Sequence, residues 1–178
     1  MQPNVEQHDV PSAWFTIAEA VKDRELAQRT SAAVLGALGT RPAVARLDVH
    51  TDYGRVITPD ALDAEDRLER LVKLRRLRGT VDLDLSDVAQ ADLLRRYLAW
   101  SINVDLYDRH DQLIANFHDC AYSIIMRLSP EGATQLGANL NGLVTVEPLG
   151  DHRQPWPRTP LKHRRSWRRP RAALEADI

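Results

Sequence analysis

The hydrophobic positions of this chain change period repeatedly, and each change marks a new element. Val44 to His50 alternates strictly, with Val44, Arg46, Asp48 and His50 on one side and Ala45, Leu47 and Val49 on the other. Successive side chains of an extended chain point to opposite faces, so this run predicts a half-buried strand. Asp52-Tyr53-Gly54 is a turn signal, and Arg55-Val56-Ile57 reads as the return arm of a hairpin. Thr80 to Leu85 alternates again, with Val81, Leu83 and Leu85 inward and Asp82 and Asp84 outward. Between Ser101 and Leu128 three such runs lie end to end. Ile102, Val104 and Leu106 line the first, Leu113, Ala115 and Phe117 the second, and Tyr122, Ile124, Met126 and Leu128 the third. Asp108 to Asp111 is a polar loop between the first two. Phe117 and Tyr122 differ in parity, so a turn or bulge over His118-Asp119-Cys120-Ala121 must separate the last two. Leu143 to Val146 is the final predicted strand. The three-run segment is the expected centre of the sheet.

Helical spacing fills the intervals. Thr16-Ile17-Ala18-Glu19 fits a capping box, in which the threonine hydroxyl and the glutamate satisfy orphan amides. It predicts a helix whose face carries Ile17, Ala20, Val21, Ala27, Ser31, Val34, Leu35 and Leu38, ending at Gly39 with a weak point near Arg24. Thr58-Pro59-Asp60 starts a second helix reaching Arg78, with threonine as cap, proline in the first turn and aspartate at the positive end. Lys73, Arg75, Arg76 and Arg78 suit its negative C-terminal end. Ser86 is placed to cap a third helix over Asp87 to Ala99, with Val88, Ala91, Leu94, Tyr97 and Leu98 as its apolar stripe. Ser129-Pro130-Glu131 opens a fourth, which Asn141-Gly142 ends. The expected fold is α+β: a mainly antiparallel sheet of six or seven strands, packed on one face by helices starting near Ile17, Pro59, Asp87 and Pro130.

Composition divides the chain into three. Residues 1–13 are polar and predicted to be flexible, 14–150 form the single domain, and 151–178 are rich in proline and arginine without apolar period, which predicts disorder. The formal net charge of −1 conceals a split. Residues 1–150 carry 16 basic against 22 acidic residues, a net −6, whereas residues 151–178 carry eight against three, a net +5. An acidic body with a basic tail suggests two binding surfaces, or one that covers the other. Arginine outnumbers lysine 21 to 3, the mark of a GC-rich bacterial genome. One cysteine excludes an intrachain disulfide. The N-terminus lacks a basic start followed by an apolar core, and Ala32 to Leu38, the longest apolar-rich run, is far short of a membrane span. A cytoplasmic protein is expected.

No dinucleotide fingerprint, phosphate loop, zincin motif, paired-cysteine metal pattern or nucleophile elbow is present, so no cofactor is expected. Three constellations remain. Asp48, His50 and Asp52 share one strand face, Asp82 and Asp84 another, and Asp105 with Asn103 a third. If those strands are neighbours, carboxylates gather on one nearly all-acid face. A solvated outer face is the plain reading of such alternation, but like charges opposite each other cost stability, which favours a face that suits a basic protein partner. It could also hold a divalent metal for phosphoryl or ester hydrolysis. His110-Asp111, His118-Asp119 and Cys120 form the second group. Adjacent residues of an extended chain point apart, so this group makes a poor nucleophile, base and orienter. The third is the tail, where Lys162, Arg164, Arg165, Arg168 and Arg169 surround Trp167. Such an arm can bind phosphates by counterion release and stack its tryptophan on a base, or bind an anionic lipid surface or the acidic body itself. The leading expectation is a non-enzymatic protein-binding module of immunity or adaptor type using Asp48, His50, Asp82, Asp84 and Asp105. A metal-dependent hydrolase on those residues is the alternative, and a nucleic-acid-associated regulator acting through the tail is the third reading.

One internal similarity is visible. Leu47 to Ile57 aligns without gaps to Val104 to Ile114: an aspartate within an apolar strand, a polar turn, then an apolar strand. Two hairpins of the same kind account for it as well as duplication does.

Overall fold

A computed structural model describes residues 12–17, 21, 23–49, 57–75 and 79–150. Its strands are β1 (Ala13–Ile17), β2 (Val44–Asp48), β3 (Thr80–Asp84), β4 (Asn103–Tyr107), β5 (Leu113–His118), β6 (Ser123–Leu128) and β7 (Val146–Pro148). Its helices are α1 (Arg24–Ala37), α2 (Pro59–Leu74), α3 (Val88–Tyr97), which runs into a 3-10 turn over Leu98–Trp100, and α4 (Pro130–Asn139). The strands make one seven-stranded antiparallel sheet in the order β3-β2-β4-β5-β6-β1-β7. The α+β expectation is met, and Ser101 to Leu128 supplies β4, β5 and β6 at the centre of the sheet.

Alternation decides which side of each strand is buried. Phe15 and Ile17, Ala45 and Leu47, Val81 and Leu83, Val104 and Leu106, Ala115 and Phe117, and Ile124, Met126 and Leu128 are all buried. They join one core with Ala27 and Val34 of α1, Ala61, Ala64 and Leu68 of α2, Leu93 and Leu94 of α3, and Ala133 and Leu136 of α4. Trp100, Tyr97 and Phe117 are its largest fully enclosed side chains. Arg96 ties α3 to α2 by reaching the Asp63 carboxylate at 2.5 Å. Thr58 caps α2 through the amide of Ala61, and Ser129 caps α4 through that of Gly132, as the sequence predicts.

Several local expectations are corrected. Thr16 and Ile17 do not start a helix. They end β1, which lies between β6 and β7, and the Thr16 hydroxyl donates to the carbonyl of Ile124 at 3.1 Å. Trp14-Phe15-Thr16-Ile17 is an aromatic and β-branched run, and its fit to a pleated surface outweighs the capping-box pattern. The helix instead starts at Arg24, where Asp23 accepts from the amide of Leu26. On α3 the cap is Asp87 rather than Ser86, because the Asp87 carboxylate reaches the amides of both Ala89 and Gln90. Leu94, Tyr97 and Leu98 of the predicted stripe are buried, with Leu93 beside them, whereas Val88 at the start of the helix is 81% exposed. Leu113 does not point inward, because a bulge opposite Leu106 and Tyr107 moves Ile114 into the buried set. The last strand covers Val146–Pro148 rather than 143–146. Both edges of β2 are occupied, by β3 along all five residues and by β4 along residues 44–47. The predicted turn at Asp52-Tyr53-Gly54 and residues 55 and 56 of the predicted return arm lie outside the described residues. Of the two similar segments, Val104 to Ile114 spans β4, its turn and the start of β5, which pair as a hairpin, while residues 50–56 of the other lie outside the described residues.

The parity conflict between Phe117 and Tyr122 is resolved by a turn whose backbone is left-handed at three successive residues. Asp119, Cys120 and Ala121 have φ of 54°, 60° and 62°. Each left-handed L-residue costs roughly 1–2 kcal/mol, less for aspartate. Arg24 holds this turn: its guanidinium donates to the carbonyls of Ala99 and Cys120, and it lies 4.5 Å from the Trp100 ring centroid and 5.2 Å from that of Tyr122. The Asp119 amide donates to Ile102 at 2.7 Å. The Asp119 side chain is exposed, so its backbone requirement can be isolated. Asp119→Gly is expected to leave stability within about 0.5 kcal/mol, and Asp119→Val to lower it by about 1–2 kcal/mol, in urea denaturation. Equal stabilities would show that the turn tolerates a β-branched residue.

Candidate functional site

The three strands that carry the acidic residues are neighbours, in the order β3-β2-β4. Their register is fixed residue by residue. Arg46 pairs with Asp82 on one side and with Asp105 on the other, and Asp105 pairs in turn with Asn116 of β5. Asp48 pairs with Thr80, and Val44 lies between Asp84 and Tyr107. Asp48, Asp82, Asp84 and Asp105 therefore occupy polar positions of one continuous patch. Each lies about 4.5–5.5 Å at Cβ from its own cross-strand partner.

Arg46 is the residue that makes the patch possible, and it keeps the face from being all acid. It stands between two aspartates that would otherwise face each other across one strand. Its Nε donates to Asp82 at 2.7 Å and its Nη2 at 3.0 Å, a two-pronged match of guanidinium to carboxylate. Side-chain exposure is 22% for Arg46 and 16% for Asp82, so the pair is partly shielded from water. The other carboxylates have neutral partners. Asp48 accepts from the Thr80 hydroxyl at 2.9 Å. Asp84 accepts from the Ser86 amide and hydroxyl at 2.9 and 2.7 Å. Asp105 accepts from the Asn116 amide at 2.7 Å and from the Tyr107 hydroxyl at 3.4 Å. Asn116 also donates to Asn103 at 2.9 Å. The result is a polar network spanning four strands, with a formal charge of −3 from four aspartates and one arginine.

The charges leave a mark on titration. The Asp82 hydrogen bond, reinforced by the negative charge of Asp82 and Asp105, holds the Arg46 guanidinium above its ordinary value despite partial burial. Burial, then the charge of Asp105, pushes the Tyr107 phenol up to about 12. Arginine 46 and Tyr107 have the parity of the aspartates and were legible as members of the same faces. Asn116 was not, because only the ladder register brings it opposite Asp105.

The remaining candidates are dispersed. His50 lies outside the described residues, as do Lys162, Arg164, Arg165, Trp167, Arg168 and Arg169. His110 and Asp111 sit in the β4–β5 turn, which Asp108 closes by accepting from the amides of His110 and Gln112 at 2.7 and 2.9 Å. His118 is exposed at the end of β5, while Cys120 is fully buried, its Sγ 3.6 Å from the Trp100 carbonyl. Burial suits the reading of this cysteine as a small apolar residue. Among the described residues no group of three or more histidine, cysteine, aspartate or glutamate side chains is arranged to hold a metal ion. None of the described helices is long and apolar enough to cross a membrane.

Two measurements probe the network. Arg46→Ala leaves Asp82 without its charged partner and removes the positive charge between Asp82 and Asp105, and is expected to lower unfolding free energy by about 1.5–3 kcal/mol. A loss below about 0.5 kcal/mol in urea denaturation would show the pair to be ornamental. For Tyr107 the sign follows from its raised value. The folded state favours the neutral phenol, so stability is unaffected below pH 10 and falls as pH rises from 10 towards about 12. Ultraviolet titration should show Tyr107 ionising late, and Tyr107→Phe should lower the late-ionising absorbance by one tyrosine. Asp105→Asn should bring it to lower pH without abolishing the shift, since burial is the larger cause.

No known protein family, curated protein or solved structure matches this chain, which leaves the side-chain geometry as the ground for a functional reading.

Proposed function

We propose that this protein is a non-enzymatic binding module, of immunity or adaptor type, that engages a basic protein partner through the polar face of β3, β2 and β4. The observation that carries this reading is the adjacency of the three strands, which gathers Asp48, Asp82, Asp84 and Asp105 into one patch around Arg46. Four features support it. The patch lies on regular strands, whose ladders hold side chains more firmly than loops do. Its carboxylates are partly ordered in advance by Thr80, Ser86, Asn116 and Tyr107, which lowers the entropic cost of meeting a partner. Each carboxylate accepts few bonds for its capacity of about four, leaving acceptor sites for lysine or arginine. Finally, Asp84 is exposed and Asp48 and Asp105 are half-buried, so a partner can reach them.

The hydrolase alternative draws no support from this geometry. A divalent ion asks for convergent carboxylates, and here a guanidinium occupies the place between Asp82 and Asp105.

The test is quantitative affinity capture with the full chain as bait, wild type against the triple substitution Asp48→Asn, Asp84→Asn and Asp105→Asn. These changes spare the Arg46–Asp82 pair and keep the side-chain volumes. A partner retained by wild type at moderate salt is expected to fall roughly tenfold or more with the variant, and to be released by raised salt, because facing charges are screened within about 10 Å at 0.1 M. Equal recovery of every retained protein by both baits would overturn the reading.

A further inference from the structure

The acidic body and the basic tail belong to one chain, and the fold sets how far apart they are. β7 is the edge strand farthest from β3. Its pairing with β1 continues as far as the Leu149 amide, which donates to Trp14. The ladders place that end of β7 at the same end of the sheet as Leu128, Leu113, Tyr107, Val44 and Asp84. The chain therefore leaves the sheet along the border on which Asp84 lies. Four strand spacings separate β7 from β4, and six separate it from β3. At about 4.8 Å per spacing these are roughly 19 Å and 29 Å.

Twelve residues run from Gly150 to Lys162, where the dense basic cluster begins. Fully extended they span about 40 Å. As a flexible chain their root-mean-square reach is about 17–21 Å. The tether is thus long enough to bring Lys162 over β3 and closely matched to the distance of β4. The charges are complementary: the three-strand patch carries −3, and residues 162–169 carry five positive charges. Arg75, at the end of α2, donates to the Asp82 carbonyl and brings one more positive group to the β3 border. Asp82 is already paired with Arg46, so Asp48, Asp84 and Asp105 are then the principal contacts.

We infer that the basic segment from Lys162 to Arg169 is a tethered occupant of the β3-β2-β4 patch, held by charge, which an external partner must displace. The inference rests on the binding reading above and adds its regulation. Tethering supplies the segment at a local concentration of order millimolar when linker reach matches the span. A weak electrostatic contact is then enough to cover the patch most of the time. A basic partner competes with the tail, so apparent affinity is set by the difference between the two. Modification that lowers the positive charge of the tail would uncover the patch.

The test uses full-length protein and, as probe, a synthetic peptide of residues 158–171. Its affinity is measured by fluorescence anisotropy for wild type and for the tail variant Arg164→Glu, Arg165→Glu, Arg168→Glu and Arg169→Glu. The tail variant is expected to bind the peptide roughly tenfold more tightly, because its own segment no longer competes. Adding Asp48→Asn, Asp84→Asn and Asp105→Asn to the tail variant should abolish that gain. Equal, measurable affinity of wild type and tail variant would overturn the tethered contact while leaving the patch a binding surface. Absence of binding to both would overturn the inference together with the reading it rests on. A nitroxide at Trp167→Cys, in a Cys120→Ala background, gives an independent readout. It should broaden amide resonances of β2, β3 and β4 at low salt, unchanged on dilution and relieved by high salt. Broadening that is absent, spread over the whole body or lost on dilution would count against an intramolecular contact.

Discussion

Strand β2 must carry two ladders at once, and the rest of the sheet's polar chemistry follows from that. Its five residues pair with β3 on one edge, and four of them, Val44, Ala45, Arg46 and Leu47, pair with β4 on the other. With period-two alternation, a slip of one residue on either edge would turn Ala45 and Leu47 out of the core and Arg46 into it. Burial of those two side chains therefore fixes both registers together. Once they are fixed, Arg46 has no freedom of neighbours: Asp82 is opposite on one side and Asp105 on the other. The guanidinium resolves a repulsion that the register itself creates. Its two-pronged contact with Asp82 is the most direct electrostatic link between adjacent strands of this patch.

From that fixed point the network extends in steps that each have a local cause. Asp105 is left facing β5, where Asn116 supplies an amide donor that also satisfies Asn103. Tyr107 lies two residues on, so the same face brings its hydroxyl near the Asp105 carboxylate. Burial and that negative charge together keep its phenol protonated far into the alkaline range. Thr80 and Ser86 do the equivalent for Asp48 and Asp84 at the two ends of β3. The patch is thus a set of carboxylates whose rotamers are constrained before any partner arrives. Such a surface is suited to recognition, where ordering costs weigh against affinity.

The other end of the sheet is organised by a second arginine. Arg24 joins the start of α1 to the 3-10 turn and to the left-handed β5–β6 turn through two carbonyls and two aromatic faces. Its position matters because the last turn of β5 must change parity without a glycine. Arginine is suited to this place, since its planar head can stack through its faces while donating within its plane. The two arginines have related roles: each lets a backbone arrangement persist that its neighbours alone would disfavour.

Alternation by itself determined β2 through β6 within a residue or two, and the threonine and serine caps determined where α2 and α4 begin. These signals are local: a period of two, or a hydroxyl followed by proline and an acid, reports on the chain within a few residues. Polarity also named Asp48, Asp82, Asp84 and Asp105 as members of strand faces. What alternation could not supply was which strands are neighbours, because pairing depends on contacts far apart in sequence. Only the tertiary structure decided that β2 lies between β3 and β4. Only it placed Arg46 between two acids and Asn116 beside Asp105. The same limit explains β1. Thr16-Ile17-Ala18-Glu19 carries a plausible capping pattern, but the vacant edges of β6 and β7 offered Trp14 to Ile17 a ladder on both sides. Long-range hydrogen bonds and burial of Phe15 and Ile17 outweighed a local preference worth about 1 kcal/mol.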